Sequence, residues 1–276
     1  MTIASDEPRA FAQSIATATE RALGGRVPRW RPGEPGDDRD PSLDQALASA
    51  GWRSVAEDPE LLPFAGTAAI ELGRRLAPLN VIDALLGGPL LSGELVRYGG
   101  VGTAVAIGPG TLTSYRLKGE RAVAYGDALG VYRADGLERS GQLSGSEAGR
   151  RIGAWIAASV GYAAGVGEYA LALTVAYARQ RRAFGTTLSG LGPVQQMLAD
   201  AATSVRGLSL LAADRPGAAG LAHAGPALCM VTSSAQQVTG AIGFTLEYPL
   251  QRYTQHARAI AAWNDALLDC LISPEG

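Results

Sequence analysis

The chain of 276 residues is poor in the side chains that form disulfides and bind metals, with two cysteines and two histidines. Cys229 and Cys270 are too few for a disulfide framework, and the two histidines lie far apart in the sequence. Neither a disulfide scaffold nor a Cys/His metal site has this composition. We therefore expect no disulfide and no bound metal, as in a protein of the reducing cytoplasm.

The sequence also lacks an excess of charge of either sign. Its 24 basic and 26 acidic residues give a formal net charge of -2, and no stretch is dense in Lys and Arg. Basic surfaces attract nucleic acids and anionic membranes, so we expect neither as a partner. The N-terminus opens with Asp6, Glu7 and Arg9, without the basic region and unbroken apolar core of a signal peptide. These features predict a cytoplasmic protein.

Apolar side chains are plentiful: they make up 47% of the chain, enough to bury one substantial core or two small ones. One apolar stretch, residues 154–178, is long enough to raise the question of a membrane span. It is rich in Ala and Gly, contains Glu168, and is followed by Arg179, Arg181 and Arg182. A buried helix of a soluble protein is the better interpretation.

Residues 1–94 are predicted to form an N-terminal helical domain, interrupted by a loop. The loop is residues 24–41, which are dense in Gly, Pro, Arg and Asp. Ser42 is a predicted N-cap for the helix that follows the loop. Apolar residues recur at helical spacing in three runs, residues 11–23, 43–50 and 64–76.

The pattern changes in residues 95–145, where short apolar or alternating pieces alternate with glycines. Residues 104–107 and 129–132 are the strongest of these pieces, and they predict strands of a reduced β domain. From residue 146 onward, four long helical runs with short connections predict a four-helix bundle over residues 146–276. The last three runs are residues 194–213, 218–239 and 247–272.

The first motif is residues 177–185, which read Tyr-Ala-Arg-Gln-Arg-Arg-Ala-Phe-Gly. The predicted helix ends here in a turn with Arg181 three residues before Phe184 and Gly185. A guanidinium at such a turn can grip a pyrophosphate with two parallel hydrogen bonds, and the ring can pack on a cofactor. Taken alone, the segment also fits a simpler interpretation, in which Arg181 is a helix C-terminal cation and Phe184 a core residue.

The second motif is residues 237–250, Gln-Val-Thr-Gly-Ala-Ile-Gly-Phe-Thr-Leu-Glu-Tyr-Pro-Leu. Together with the first motif, it resembles the C-terminal domain of the acyl-CoA dehydrogenase family, whose members carry Arg-x-x-Phe-Gly and then Gln-x-x-Gly-Gly-x-Gly-(Phe/Tyr)-Thr-x-Glu-x-Pro-Leu. The resemblance implies a mainly α fold with an N-terminal helical layer, a reduced β section and a C-terminal four-helix bundle. It also implies that Arg181, Phe184, Gln237 and Gly240 are binding residues for FAD.

The chain departs from the family at the catalytic base, the carboxylate that removes the α-proton of the acyl thioester. The common position of that base falls at Asn264, beside Asp265, and its alternative position falls at or close to Trp155. Neither Asn264 nor Trp155 can serve as a base. Glu168, further along the same predicted helix, is better interpreted as solvated or as part of an interhelical ion pair.

Other departures lie outside the base positions. The β section is much shorter than the family's β domain, and Ala241 replaces one motif glycine. Gln255 and His256 replace the Arg-Asp pair that usually follows the second motif. A lone histidine on a charged helix is most often a solvated surface residue, so His256 receives no role.

In family members, FAD is shared across a dimer, and the neighbouring subunit's Arg-x-x-Phe and Gln-x-x-Gly residues hold its adenosine diphosphate end. Because this chain keeps that second set, the resemblance implies a partner subunit of a heteromeric acyl-CoA dehydrogenase, similar to actinobacterial heterotetramers that desaturate steroid side-chain CoA esters. Its partners would be a homologous catalytic subunit and an acyl-CoA substrate. Two alternatives stay open: a cofactor-independent elimination or cyclisation enzyme using Asp265 or His256, and a non-catalytic scaffold.

Overall fold

A computed structural model describes residues 7–24, 41–97, 102–122 and 130–272. Most of the predicted loop, residues 25–40, lies outside the described residues. The N-terminal helices are α1 (Glu7–Leu23), α2 (Pro41–Ser49), α3 (Leu62–Arg74) and the single turn α4 (Asn80–Asp83). Helix α2 spans Pro41–Ser49 and includes Ser42, so the prediction that Ser42 is the N-cap before the helix was wrong.

Five strands close into a small barrel: β1 (Leu90–Ser92), β2 (Leu95–Arg97), β3 (Thr103–Gly108), β4 (Thr111–Ala122) and β5 (Val131–Ser144). The strand order is β1-β2-β5-β4-β3, and β3 returns to β1 as the one parallel pairing, with all others antiparallel. The predicted strand at residues 104–107 falls on β3. Of the predicted strand at residues 129–132, residues 131 and 132 begin β5, and residue 129 lies outside the described residues. Strand β1 begins before the predicted domain boundary at residue 95, and the domain boundaries remain predictions.

Four long helices follow, α5 (Gly145–Gln180), α6 (Gly192–Ala213), α7 (Ala218–Thr239) and α8 (Leu250–Ile272). Helix α5 packs against α3, α6, α7 and α8, and α7 continues through Pro226. The predicted mainly α fold with a four-helix bundle is confirmed. By length and composition, α5 could cross a membrane, yet 72% of its most apolar window is buried inside the protein, as in the core helix of a soluble fold.

Helices α3 and α5 meet along a seam of glycines, defined by Gly73 on α3 and Gly161 and Gly165 on α5, whereas a Cβ atom added at Gly66 of α3 would overlap the Ala212 carbonyl of α6. A Cβ atom added at Gly161 would overlap the carbonyl oxygen of Gly66, and one added at Gly165 would overlap that of Ile70. The two backbones are therefore in direct contact, which only residues without a side chain permit. This seam fixes the N-terminal layer onto the bundle.

Candidate functional site

The first motif begins where α5 ends. The backbone N–H of Arg181 donates to the Tyr177 carbonyl at 2.9 Å, and the Arg181 carbonyl accepts from the Leu188 N–H at 2.8 Å. The backbone of Arg181 is thus held on both sides, while its side chain is exposed. Among the described residues, no acidic group pairs with its guanidinium. Arg181 is a fixed cation that faces solvent.

Phe184 is the most exposed large apolar residue among those described, at 93% of its surface. Its backbone has φ +53°, in the left-handed region that costs a side-chain-bearing residue about 1 kcal/mol or more. The interpretation of Phe184 as a core residue was therefore wrong. An aromatic ring held in water on an unfavourable backbone gains nothing from its own chain, so it is suited to contact another molecule.

Where the second motif begins, two neighbouring glutamines of α7 differ in exposure: Gln236, just before the motif, is buried, and Gln237, its first residue, is exposed. Gln236 is buried, and its Nε2 donates to the Gly243 carbonyl at 3.3 Å and to the Gln251 Oε1 at 3.0 Å. Gln237 is exposed on the last turn of the helix. Gly240 then ends α7 with φ +67° and ψ -147°, a conformation essentially restricted to glycine. Gln236, which the sequence did not single out, holds the turn from which Gln237 and Gly240 face outward.

Two tyrosines connect the motifs. The Tyr248 hydroxyl donates to the Leu173 carbonyl in α5 at 3.0 Å, and its ring meets the edge of Tyr177 with centroids 5.9 Å apart. The α7–α8 connection therefore packs against the last turns of α5. We call Arg181, Phe184, Gln237 and Gly240 the motif surface. Its four residues lie on contacting elements, and the three side chains among them are exposed instead of lining an internal cavity.

The two positions of the missing base are both buried. Asn264 lies inside the bundle, and its Nδ2 donates to the Leu221 carbonyl in α7 at 3.4 Å. Trp155 is fully buried in α5, and its indole N–H donates to Asp83 Oδ1 at 3.1 Å. Both side chains have structural partners in their own chain, and the neighbouring Asp265 is exposed.

Asp83 and Arg97 form a buried ion pair that the sequence analysis did not find. The Arg97 Nε donates to Asp83 Oδ2 at 2.9 Å, its second nitrogen pairs with Oδ1, and the Leu90 N–H donates to the same carboxylate at 3.4 Å. The guanidinium also lies 5.5 Å from the centroid of the Trp263 ring. This interior ion pair joins α4 and β2 to α5 and α8 beside both base positions.

Two further predictions have clear outcomes. Glu168 accepts from Arg74 Nε at 2.7 Å and from the Ser209 hydroxyl at 3.1 Å, so the predicted interhelical ion pair is confirmed. The prediction that His256 is a solvated surface residue was wrong, because it is buried in α8. Burial lowers the pKa of His256 to about 4, with a hydrogen bond to the Arg252 backbone opposing the shift.

Within the described parts of the chain, no three His, Cys, Asp or Glu residues cluster in a way that could hold a metal ion.

Residues 156–264 match the protein family described as "Acyl-CoA dehydrogenase, C-terminal domain". The helical bundle of this chain is therefore similar to the C-terminal domain of acyl-CoA dehydrogenases. The match runs from within α5 to Asn264 in α8 and includes both motifs. "Probable acyl-CoA dehydrogenase FadE25" of Mycobacterium tuberculosis is 32% identical over 109 residues, which is 35% of this chain. The same match spans 28% of the relative's own length.

Solved structures of acyl-CoA dehydrogenases share the fold. The ChsE4-ChsE5 complex from Mycobacterium tuberculosis superposes with a TM-score of 0.63 at 18% identity, covering 100% of both chains. A variant of the Tcur3481-Tcur3483 steroid ACAD gives 0.67 at 19% identity over 97% of both chains. Glutaryl-CoA dehydrogenase from Mycobacterium smegmatis gives 0.69 at 16% identity, over 98% of this chain and 94% of the other.

The likeness to acyl-CoA dehydrogenases bears differently on the motif surface and on the interior. Members of this family generally bind FAD, and the motif surface presents groups that fit its adenosine diphosphate half. They are an unpaired guanidinium for phosphate, a ring for stacking, an amide, and a glycine whose missing Cβ would point into open space. The interior offers no carboxylate at either base position. In this chain, the residues at the family's motif positions therefore lie at the surface, and neither base position in the interior carries a carboxylate.

Proposed function

We propose that this chain is the partner subunit of a heteromeric, FAD-dependent acyl-CoA dehydrogenase. Its motif surface completes an FAD site whose remaining residues, including the base, belong to a homologous catalytic subunit. The observation that carries the proposal is the exposure of Phe184 on a left-handed backbone, close in sequence to Arg181, whose guanidinium pairs with no acidic group among the described residues. Such a surface is costly to maintain unless a second chain or a cofactor covers it.

The apolar residues around the α7–α8 turn extend the same surface. Ile242, Phe244 and Leu246 are exposed at 40%, 58% and 51%, respectively. Exposed aromatic and aliphatic side chains of this density are typical of the centre of a protein interface. Because they flank Gly240, we infer that the catalytic subunit binds here and brings its flavin against the motif surface.

The reaction divides between the two chains in this proposal. Bound FAD supplies the hydride acceptor for α,β-desaturation of an acyl-CoA. Arg181 neutralises the pyrophosphate, Gln237 binds the adenosine half by hydrogen bonds, and Phe184 excludes water from it. The α-proton is removed by a carboxylate of the catalytic subunit, since Asn264 and Trp155 both have structural partners. This chain is thus active only within the complex, in the cytoplasm.

The resemblance to complexes guides the choice of substrate. One structural relative is a complex of two different chains, ChsE4 and ChsE5, and another is a steroid ACAD. These likenesses concern the fold, so a steroid side-chain CoA ester is our proposal for the substrate to be tested first. The alternative of a cofactor-independent enzyme is less well supported, because His256 is buried with a pKa near 4 and Asp265 is solvated.

The decisive experiment compares Arg181→Ala with the parent chain, each tagged and co-purified with its partner from native cells. We expect the parent complex to be yellow and the chain alone to be nearly colourless and inactive. Loss of a charge-assisted contact of about 1.5 to 3 kcal/mol weakens FAD binding roughly tenfold to a hundredfold. Flavin should therefore leave the Arg181→Ala complex on desalting, and Arg181→Lys should restore only part of the binding.

Phe184→Asn provides a matched test of the surface's purpose. Asparagine tolerates the left-handed region, so this variant should be as stable as the parent chain or slightly more stable when heated alone. In the complex it should retain less flavin. A stoichiometrically yellow, active homodimer of this chain would refute the proposal. A complex that assembles without flavin, and whose activity is the same with Arg181→Ala or Phe184→Asn as with the parent chain, would favour the non-catalytic scaffold.

A further inference from the structure

The two halves of the motif surface come from segments about 60 residues apart in the sequence, and in the proposed function they bind the same FAD molecule. Arg181 and Phe184 follow the end of α5, whereas Gln237 and Gly240 lie at the end of α7. A site of this kind binds tightly only if its halves keep a fixed relative position before the ligand arrives. The contacts between the segments therefore bear directly on affinity.

In the described part of the chain, Tyr177 and Tyr248 form a side-chain contact that bridges the two segments near their ends. Tyr177 is one helical turn before Arg181, and its carbonyl accepts the last helical hydrogen bond, from the Arg181 N–H. Tyr248 follows the Gly240–Phe244 turn and donates its hydroxyl to the Leu173 carbonyl, one turn before Tyr177. The pair thus connects the residue that fixes Arg181 to the connection that carries Gly240.

We propose that Tyr177 and Tyr248 form a latch that positions the two halves of the motif surface for one FAD. This inference rests on the proposed function and deepens it by adding positioning residues that do not touch the cofactor. Tyr248 is well suited to the role, because its ring is partly buried against the core while its hydroxyl bonds to a helix carbonyl. Gln236 supports the same geometry from inside by bonding to Gly243 and Gln251.

The latch is a positioning device only if its removal weakens FAD binding more than it destabilises the folded chain. The test substitutions are Tyr248→Phe, which removes the hydroxyl alone, and Tyr177→Leu, which removes the ring edge. In the co-purified complex, we expect each to weaken FAD binding about two- to tenfold, the effect of one neutral hydrogen bond or a comparable contact. The measurement is the dissociation constant of FAD from the complex, followed by visible absorbance and flavin fluorescence on serial dilution.

Two conservative variants separate positioning from general damage. Tyr177→Phe keeps the ring edge and should retain FAD like the parent chain. Tyr169→Phe lies two turns earlier on α5, where its ring stacks on Tyr253 at 4.9 Å, and it should also have no effect. For all four variants, we expect the yield of assembled complex to match the parent and the thermal midpoint of the chain alone to shift by only a few degrees.

Arg181→Ala, measured in parallel, keeps the two hypotheses distinguishable. If Arg181→Ala loses flavin while Tyr248→Phe and Tyr177→Leu retain it fully, the latch is refuted and the partner-subunit proposal stands. If none of the three changes flavin binding, the proposed FAD site itself is wrong and the latch falls with it. If the latch variants lower the thermal midpoint and complex yield without changing FAD affinity per complex, their role is structural and the inference is refuted.

Discussion

His256 is buried because it lies on the inner face of α8. Tyr253, Ile260 and Trp263, at the neighbouring positions of that face, are all buried. These residues recur at intervals of three and four, the pattern of a helix's inner face. The pattern was readable in the sequence, and it outweighs the charged neighbours Arg252 and Arg258 that suggested a solvated histidine.

Burial of His256 predicts a specific pH dependence of stability. Its pKa in the folded chain is about 4, below the ordinary value of 6.5, so the unfolded chain binds the proton first as the pH falls. The contribution of neutral His256 is complete above pH 6.5 and is lost between pH 6.5 and 4, with a slope on the order of 1 kcal/mol per pH unit. When the unfolding free energy is measured with urea across this range, it should fall less steeply with decreasing pH for His256→Gln than for the parent chain.

His223 is the matched control, since it is the other histidine and lies exposed on α7. His223→Gln should leave the slope unchanged. Equal slopes for the parent chain and His256→Gln would mean that His256 titrates normally in the folded state. Carboxylates also titrate in this range, but they contribute equally to all three proteins, so the differences between variants report on the histidines alone.

At the scale of elements, the seam between α3 and α5 depends on backbone contact. Gly161→Ala should destabilise the chain by about 3 kcal/mol, the upper end of the usual cost of overpacking, because the added methyl group overlaps the Gly66 carbonyl. Gly153→Ala, two turns earlier on the same helix, places its methyl group in open space. It should stabilise the chain by about 0.5–1 kcal/mol through helix propensity. Opposite shifts of the thermal midpoint are expected, and two shifts of the same sign would contradict the seam.

The helices were far more predictable from sequence than the barrel. Three- and four-residue apolar spacing and boundary residues such as Pro216 and Gly240 locate the bundle helices within a few residues. Barrel closure depends on β1, whose three residues pair in parallel with β3. A strand of that length carries no period, and its pairing partner is set by tertiary packing alone. The sequence therefore predicts the strands at residues 104–107 and 129–132 without predicting their closure.

At the scale of the whole molecule, the interior ion pair of Asp83 and Arg97 connects the N-terminal helices and the barrel to the bundle, parts that lie far apart in the sequence. Asp83→Asn removes the charge that Arg97 needs while leaving the guanidinium buried, which should cost about 3–5 kcal/mol of unfolding free energy. Glu94→Gln breaks the exposed pair of Glu94 with Arg133 and should cost less than about 1 kcal/mol. Chemical unfolding of both variants checks the difference. Equal, small effects would mean that water reaches Arg97.

The candidate site was predictable in part, for reasons specific to each residue. Arg181, Phe184, Gln237 and Gly240 were identified through a resemblance between motifs, and the structure adds that the side chains of the first three are exposed. Asp83, Arg97 and Gln236 were not identified, because a buried polar group is recognised by its partners. Those partners lie in other elements, at sequence distances that no local pattern reports. Whether the motif residues bind FAD stays a prediction.

The glycine seam also has an evolutionary consequence. At a contact between two side chains, enlargement of one can be offset by a smaller residue on the other. At Gly161 and Gly165 the opposing atoms are backbone carbonyls of α3, which no substitution can remove. No second-site substitution in the facing helix can therefore rescue a larger residue there, so we expect both glycines to stay fixed while the side chains around them diverge.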